Sequence, residues 1–148
     1  MKRIRVAGFL EMDGGIALMR RTNVKPTKDY PNRPFGEYYV FAGGGLDEDD
    51  VSLEEGVKRE LLEEFGIVVE VKRQICYKEI KDELEEYLFQ CIYISGDFGT
   101  GNGPEFSNNP EYTERGNFIP TIVKKEEVKN IRLLPEEFKE KLFQMHII

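Results

Sequence analysis

Arg3-Ile4-Arg5-Val6 alternates charged and β-branched residues before Ala7–Leu10 turns apolar, a pattern that predicts a strand over residues 3–11. Asp13-Gly14-Gly15 supplies the residues that a tight hairpin needs at positive φ, so Ile16–Arg21 is expected to return as a second strand. Residues 22–34 break the pattern with Pro26, Pro31 and Pro34, and carry Lys25, Lys28 and Arg33; they read as a surface loop with a basic edge. Tyr38-Tyr39-Val40-Phe41 is a short strand running straight into Gly43-Gly44-Gly45, which is expected to form a glycine turn.

The periodicity then changes from two to 3.6. Ser52 with Glu55 three residues on is a capping-box pattern, good helix formers continue to Phe65, and Gly66 stands where a helix would close, so the main helix is expected over about 52–65. Ile67–Lys72 and Ile75–Ile80 read as strand, with Glu86–Ser95 as the antiparallel partner. Residues 96–110 are rich in Gly, Asn and Pro and too long for an idle connection in a small domain. Asn117–Val123 is a late strand, and a last amphipathic helix is expected from Leu134-Pro135 to Met145, with Pro135 in its first turn. Strands and helices interleave without a regular βαβ period, which makes the class α+β, with a mixed sheet between helices.

A chain of 148 residues suits one domain over 1–148. Its formal net charge of -7 argues against a duplex nucleic-acid partner, because such binding draws on a basic face that releases counterions. An acidic chain can hold a small phosphorylated ligand if cations offset its own field, which points to bound metal. Cys76 and Cys91 lie in apolar stretches and read as buried, reduced thiols; a single histidine, His146, makes a zinc site a poor expectation. No apolar run approaches membrane-spanning length and the first residues lack a signal-peptide core, so no membrane partner is expected and the location is read as cytoplasmic.

The candidate chemistry sits in Arg59-Glu60-Leu61-Leu62-Glu63-Glu64-Phe65-Gly66. At about 100° per residue the three glutamates fall within roughly a 100° arc. Val57, Leu61 and Phe65 form the adjacent row, so the acids flank the core-facing stripe instead of lying opposite it. Partial burial strengthens their mutual repulsion unless a cation sits among them, and hard divalent ions take such oxygen ligands. A glutamate-rich helix alone is commonly only a solvated face, with Arg59 pairing Glu63; the preceding glycine run, where backbone can approach an ion closely, makes the combination rarer.

This stretch resembles the Nudix hydrolases, whose signature is G-x5-E-x7-R-E-U-x-E-E-x-G-U with U aliphatic. Residues 59–67 match its second half throughout. In the first half, an ungapped count places Gly45 on the glycine and Val51 where glutamate is expected; one extra residue places Gly44 on the glycine and Asp50 on the acid. The second register keeps Gly43-Gly44-Gly45-Leu46 like the family's glycine-rich stretch.

The resemblance implies a Nudix-like α/β/α sandwich and Mg²⁺- or Mn²⁺-dependent hydrolysis of a diphosphate linkage in a nucleoside-diphosphate-type substrate, a nucleoside triphosphate or related nucleotide ranked first. The alternative on the same fold is a catalytically weak nucleotide-sensing module. Glu60, Glu63 and Glu64 inherit the metal-binding role, and Glu63 and Glu64 with Arg59 make up the catalytic set. Arg59 looks like the arginine that orients a glutamate, and a main-chain carbonyl of Gly43 or Gly44 is a further ligand. The base or extra ligand is drawn from Glu63, Glu64, Asp50, Glu105, Glu111 and Glu114, although ordinary surface charge is the simpler reading for any one loop acid. Arg20, Arg21 and Arg33 are the candidate substrate-binding residues. Tyr30, Phe35, Tyr38, Phe106 and Tyr112 are candidates for stacking on a base. Homodimers are frequent in the family, though no sequence feature here specifies one.

Overall fold

The computed structural model describes residues 2–106 and 115–148. Strand β1 (Arg3–Met12) turns at Asp13-Gly14 into β2 (Gly15–Val24). Both turn residues have positive φ, 53° and 79°, the geometry whose twist matches that of the flanking strands. Short strand β3 (Gly36–Val40) follows the proline loop, and β4 (Ala42–Gly45) comes directly after it. Helix α1 (Leu53–Phe65) precedes a long hairpin of β5 (Ile67–Ile80) and β6 (Leu84–Gly96). Strand β7 (Asn117–Lys124), a 3-10 segment (Lys125–Asn130), two-residue β8 (Leu133–Leu134) and helix α2 (Glu136–Gln144) complete the chain.

The sheet order is β5-β6-β1-β2-β3-β8, with β4 also on β1 and β7 also on β2. Parallel β1–β6 pairing runs from Arg3↔Leu84 to Leu10↔Cys91, the other pairings except β3–β8 being antiparallel, so the sheet is mixed as expected. Strand alternation splits the core in two. Val6, Leu10, Ala17 and Val69 pack with Val57, Leu61 and Phe65 of α1; Ala7, Phe9, Leu18 and Phe41 pack with Phe138 and Leu142 of α2. The sheet thus lies between two helices, the α/β/α arrangement of the α+β class. Cys76 and Cys91 are buried free thiols, and burial pushes them up to about 11 and about 12.

Three elements depart from the sequence pattern. The glycine run is a strand and not a turn: Gly43, Gly44 and Gly45 pair with Ala7, Val6 and Arg5. A side chain at Gly43 would stand 2.2 Å from the Val6 carbonyl oxygen, so the close pairing itself demands glycine. Residues 67–80 form one strand whose register slips at Val71/Arg73 and Gln74/Cys76, where the sequence suggested two. Pro135 precedes α2 with extended ψ of 144° after a cis peptide, instead of occupying the first turn. Among the described residues no helix is long and apolar enough to cross a membrane.

Candidate active site

Helix α1 begins as its sequence dictates: Ser52 Oγ accepts the Glu55 N–H at 3.1 Å. It ends on Gly66 in the left-handed region, whose N–H donates to the Leu62 carbonyl. The remaining carbonyls of its last turn are orphans that need donors. The loop after β6 supplies them, with Gly99 N–H on Phe65 O and Gly103 N–H on Glu63 O, both at 2.9 Å. Phe98 stacks against Phe65 with ring centroids 4.7 Å apart. This pinned loop then turns through Pro104–Phe106 and carries Glu105 to the helix acids.

Glu60 and Glu64 are 7% and 6% exposed, a degree of burial that ionised carboxylates seldom tolerate unpaired. Burial pushes Glu60 up to about 7 against the pull of Arg59, and neighbouring Glu63 and Glu105 add to the rise. Glu64 is raised well above the carboxylate range, first by burial and then by Glu60, despite the Gly43 N–H that donates to its Oε2 at 2.9 Å. Glu105 is raised by burial and by Glu63, and its Oε1 is buried without a hydrogen-bond partner among the described residues. Glu60, Glu63, Glu64 and Glu105 thus lie near enough to act on one another electrostatically, and burial disfavours the charge on Glu60, Glu64 and Glu105.

Arg59 offsets part of that charge. Its Nη1 donates to Glu60 at 3.0 Å and Glu63 at 3.2 Å, Nη2 donates to Asp50 at 2.9 Å and to the Gly45 carbonyl at 3.0 Å, and Nε donates to Asp50 at 3.0 Å. Asp50 also accepts the Asp47 N–H at 2.8 Å, so both its oxygens are engaged, and the hydrogen bonds from Arg59 hold its carboxyl below the usual range. Among the described residues no three Asp, Glu, His or Cys side chains gather closely enough to hold an ion, because Glu60 and Glu63 turn to Arg59.

The donor set nevertheless fits a hard divalent ion. All the candidate ligands are oxygens, one of them a buried carboxylate atom without a hydrogen-bond partner among the described residues. A Cβ on Gly44 would lie 2.6 Å from Glu60 Oε1, so only glycine lets that carboxylate rest on the strand. Ladder alternation assigns the carbonyls. Leu46 N–H donates to Ile4 O, so Gly44, two residues away, also turns its carbonyl toward β1, whereas Gly43 and Gly45 face outward to Glu64 and Arg59. Gly43, not Gly44, has the outward carbonyl that Arg59 leaves open.

The candidate basic residues separate. Arg21 lines a cavity of about 570 Å³ with Arg5, Tyr38, Val40, Lys78, Glu86 and the start of α2. Its guanidinium lies 3.8 Å from the Phe118 ring and donates to the Arg115 carbonyl at 2.6 Å. Arg20 pairs with Glu37 at 3.0 Å, and Arg33 sits 4.4 Å over Tyr30 in the proline loop; neither lines the cavity. Tyr38 reaches the cavity, Tyr30 and Phe35 are exposed, and Phe106 packs on the α1 core. Glu111, Glu114 and Tyr112 lie outside the described residues. Neither this cavity nor a larger one, about 840 Å³ where β1 and β6 diverge, has any of the clustered carboxylates in its wall, but Arg5 and Arg21 of the smaller cavity lie near enough to Glu64 to interact with its charge.

Arg5, Lys78 and Glu86 are cavity residues that the sequence pattern did not single out. Arg5 shows in the sequence only as one charge of the alternating stretch Arg3-Ile4-Arg5-Val6, and it gains meaning only from the β1–β6 register that sets Glu86 opposite.

The NUDIX domain family matches residues 1–142. The chain belongs to this family. Nudix folds among solved structures overlay most of it. A Nudix hydrolase from Nitrosomonas europaea aligns with TM-score 0.64 and 14% identity over 99% of this chain and 90% of that one. A MutT protein from Methanosarcina mazei Go1 gives TM-score 0.61 and 22% identity over 97% and 91%. A UDP-X diphosphatase gives TM-score 0.56 and 17% identity over 99% of this chain but 63% of that one. At these identities the likeness concerns the Nudix fold. No curated protein sequence matches the chain.

Proposed function

We propose that this Nudix protein is a Mg²⁺- or Mn²⁺-dependent pyrophosphohydrolase that cleaves a diphosphate linkage in a small nucleotide, a nucleoside triphosphate or close relative first. The observation that carries the proposal is the burial of Glu60 and Glu64 within a four-carboxyl cluster also containing Glu63 and Glu105. Such a cluster is costly for the fold alone and becomes favourable once a divalent ion neutralises it.

Glu60, Glu63 and Glu64, with the Gly43 carbonyl, would hold the ion. When bound it lowers the pKa of water and screens the phosphate oxygens. Glu105 is the best-placed base, since its buried Oε1 has no partner among the described residues and burial raises its carboxyl above the ordinary carboxylate range, which makes it the stronger proton acceptor when ionised. Asp50 is a poor base, having both oxygens engaged, and acts by fixing Arg59. Arg21 and the cavity beside it would take the nucleoside half of the substrate. A cytoplasmic location suits that substrate class.

The test is a panel of nucleoside triphosphates, nucleoside-diphosphate sugars and dinucleoside polyphosphates, assayed for phosphate and pyrophosphate release with Mg²⁺ and Mn²⁺. Turnover should vanish in EDTA and fall by at least about 100-fold in Glu64→Gln, consistent with loss of a group acting in the transition state. Calorimetry with MnCl₂ alone should show ion uptake in the wild type and not in Glu60→Gln/Glu64→Gln. Near wild-type rates in Glu64→Gln would remove the assigned site, and nucleotide binding without turnover would support the sensing module instead.

A further inference from the structure

The cavity beside the carboxylate cluster contains an ion pair whose placement fold stability does not explain. Along β1, Val6 packs toward α1 and Ala7 toward α2, so Arg5 shares the face of Ala7 and enters the cavity. Arg5 Nη1 donates to Glu86 Oε2 at 2.8 Å, the two residues standing opposite in the β1–β6 ladder. Glu86 is 7% exposed, buried more deeply than the other charged side chains of the cavity wall. Lys78, which faces Glu86 across the β5–β6 ladder, is drawn away to Glu137 at 3.0 Å.

Among the described residues the Arg5 guanidinium and the Glu86 carboxylate therefore hydrogen-bond to each other once. Arg5 keeps Nε and Nη2 as donors, and Glu86 keeps Oε1 as an acceptor. Well-packed apolar residues of similar volume would be at least as stable as such a pair, so its position in a cavity wall calls for a polar ligand. Val40, Leu134 and Pro135 give that cavity an apolar side against which a flat ring can lie.

We propose that the Arg5–Glu86 pair is the specificity determinant of this pocket and selects a nucleobase that presents a carbonyl beside a ring N–H, the lactam edge of an oxo-purine or oxo-pyrimidine, over an amino-purine. The inference rests on the reading that the cavity holds the nucleoside half of the substrate. Arg5 donates to the carbonyl oxygen while Glu86 Oε1 accepts from the adjacent ring N–H, so both desolvated charges are satisfied at once. An amino-purine offers a ring nitrogen and an amino group in the reverse order along the same edge. It would leave a buried charge unpaired, the situation in which polar sites discriminate most strongly.

Inosine and adenosine 5′-monophosphate differ at this edge alone. Titrated calorimetrically into the wild-type protein in EDTA, the inosine nucleotide should bind at least about 10-fold tighter, equivalent to about 1.4 kcal/mol. In Arg5→Met/Glu86→Leu, which removes the pair without stranding either charge, the two affinities should converge to within about 2-fold. Should that variant not fold, Glu86→Gln replaces it, and the preference should drop below about 3-fold. Equal affinities in the wild type, tighter adenosine binding, or a preference that survives loss of the pair would overturn the proposal. The outcome is separable from the hydrolase reading: turnover with no base preference sinks this inference alone, while a pair-dependent preference without turnover sinks only the hydrolase.

Discussion

Glu60 gives the hydrolase reading its most quantitative consequence in the absence of metal. The residue is 7% exposed, and burial raises its carboxyl from 4.5 to about 7. In the unfolded chain the same group ionises near 4.5. Between those values the unfolded chain releases a proton that the folded chain keeps, so rising pH favours unfolding. The stability is present at low pH, is lost across roughly pH 4.5–7, and stays lost above that window. At about 1.36 kcal/mol per pH unit the loss is about 3 kcal/mol for this group, and Glu64 adds to it with the same sign.

Glu60→Gln keeps the shape and retains an oxygen for the Arg59 hydrogen bond, but removes the titration. Urea unfolding in EDTA should therefore find the variant more stable than wild type at pH 8, by up to about 3 kcal/mol, and little different at pH 5. In thermal scans the pH 8 difference corresponds to roughly 6–12 °C for a chain of this size. Adding Mg²⁺ at pH 8 should raise the wild-type melting temperature and leave Glu60→Gln much less affected. A variant no more stable than wild type at pH 8 in EDTA, or one with an unchanged pH slope, would refute the claim that this carboxylate is buried against its own charge.

The other substitutions separate the roles within the cluster. Glu105→Gln should lower kcat by at least about 100-fold while calorimetry finds Mn²⁺ affinity within about 3-fold of wild type, as expected for a base; a parallel collapse of affinity would make Glu105 a ligand. Gly44→Ala places a Cβ 2.6 Å from Glu60 Oε1, so Mn²⁺ affinity should fall at least about 10-fold as that carboxylate is displaced; unchanged uptake would show that Glu60 need not rest on β4. Asp50→Asn weakens the hold on Arg59 without touching the clustered acids, and should cost less than about 10-fold in rate. A loss as large as that of Glu64→Gln would make Asp50 catalytic.

The helix was legible because three local signals agree on it: the Ser52 cap, the Gly66 stop and the Val57-Leu61-Phe65 row. Burial of Glu60 and Glu64 beside that row followed from the same angular argument. The glycine run misleads because glycine carries no pattern of its own; only pairing with Arg5, Val6 and Ala7 makes a strand of it, and at Gly43 the β1 backbone comes too close for any side chain. The loop acids posed a different difficulty. Glu105 differs from a surface glutamate only because Gly99 and Gly103 cap the carbonyls at the end of α1 and pull the loop inward, a tertiary event with no local signature. Arg5–Glu86 lies further from view still, since it depends on parallel pairing between residues 81 apart in sequence.

The irregular first half of the box has a physical resolution. The extra residue lies ahead of α1, in the non-helical stretch before Ser52, where an outward bulge can absorb it without turning the helix. Val51 stands 89% exposed there, while Asp50 turns inward and reaches Arg59 Nε at 3.0 Å. Aspartate is one methylene shorter than the glutamate of the signature, and the added residue lets the shorter acid reach the same guanidinium. The same arginine touches Glu60 and Glu63, so Asp50 keeps it in place when those two turn toward an ion. We infer that the insertion and the Glu-to-Asp change compensate each other, with Asp50 in the place of the signature's first glutamate. Deleting Val51 alone should withdraw Asp50 from Arg59 and lower ion affinity, and restoring glutamate at position 50 in the shortened loop should recover it, with Mn²⁺ calorimetry as the readout. Affinity unaffected by the deletion would mean that Arg59 is held well enough by Gly45 and its two glutamates.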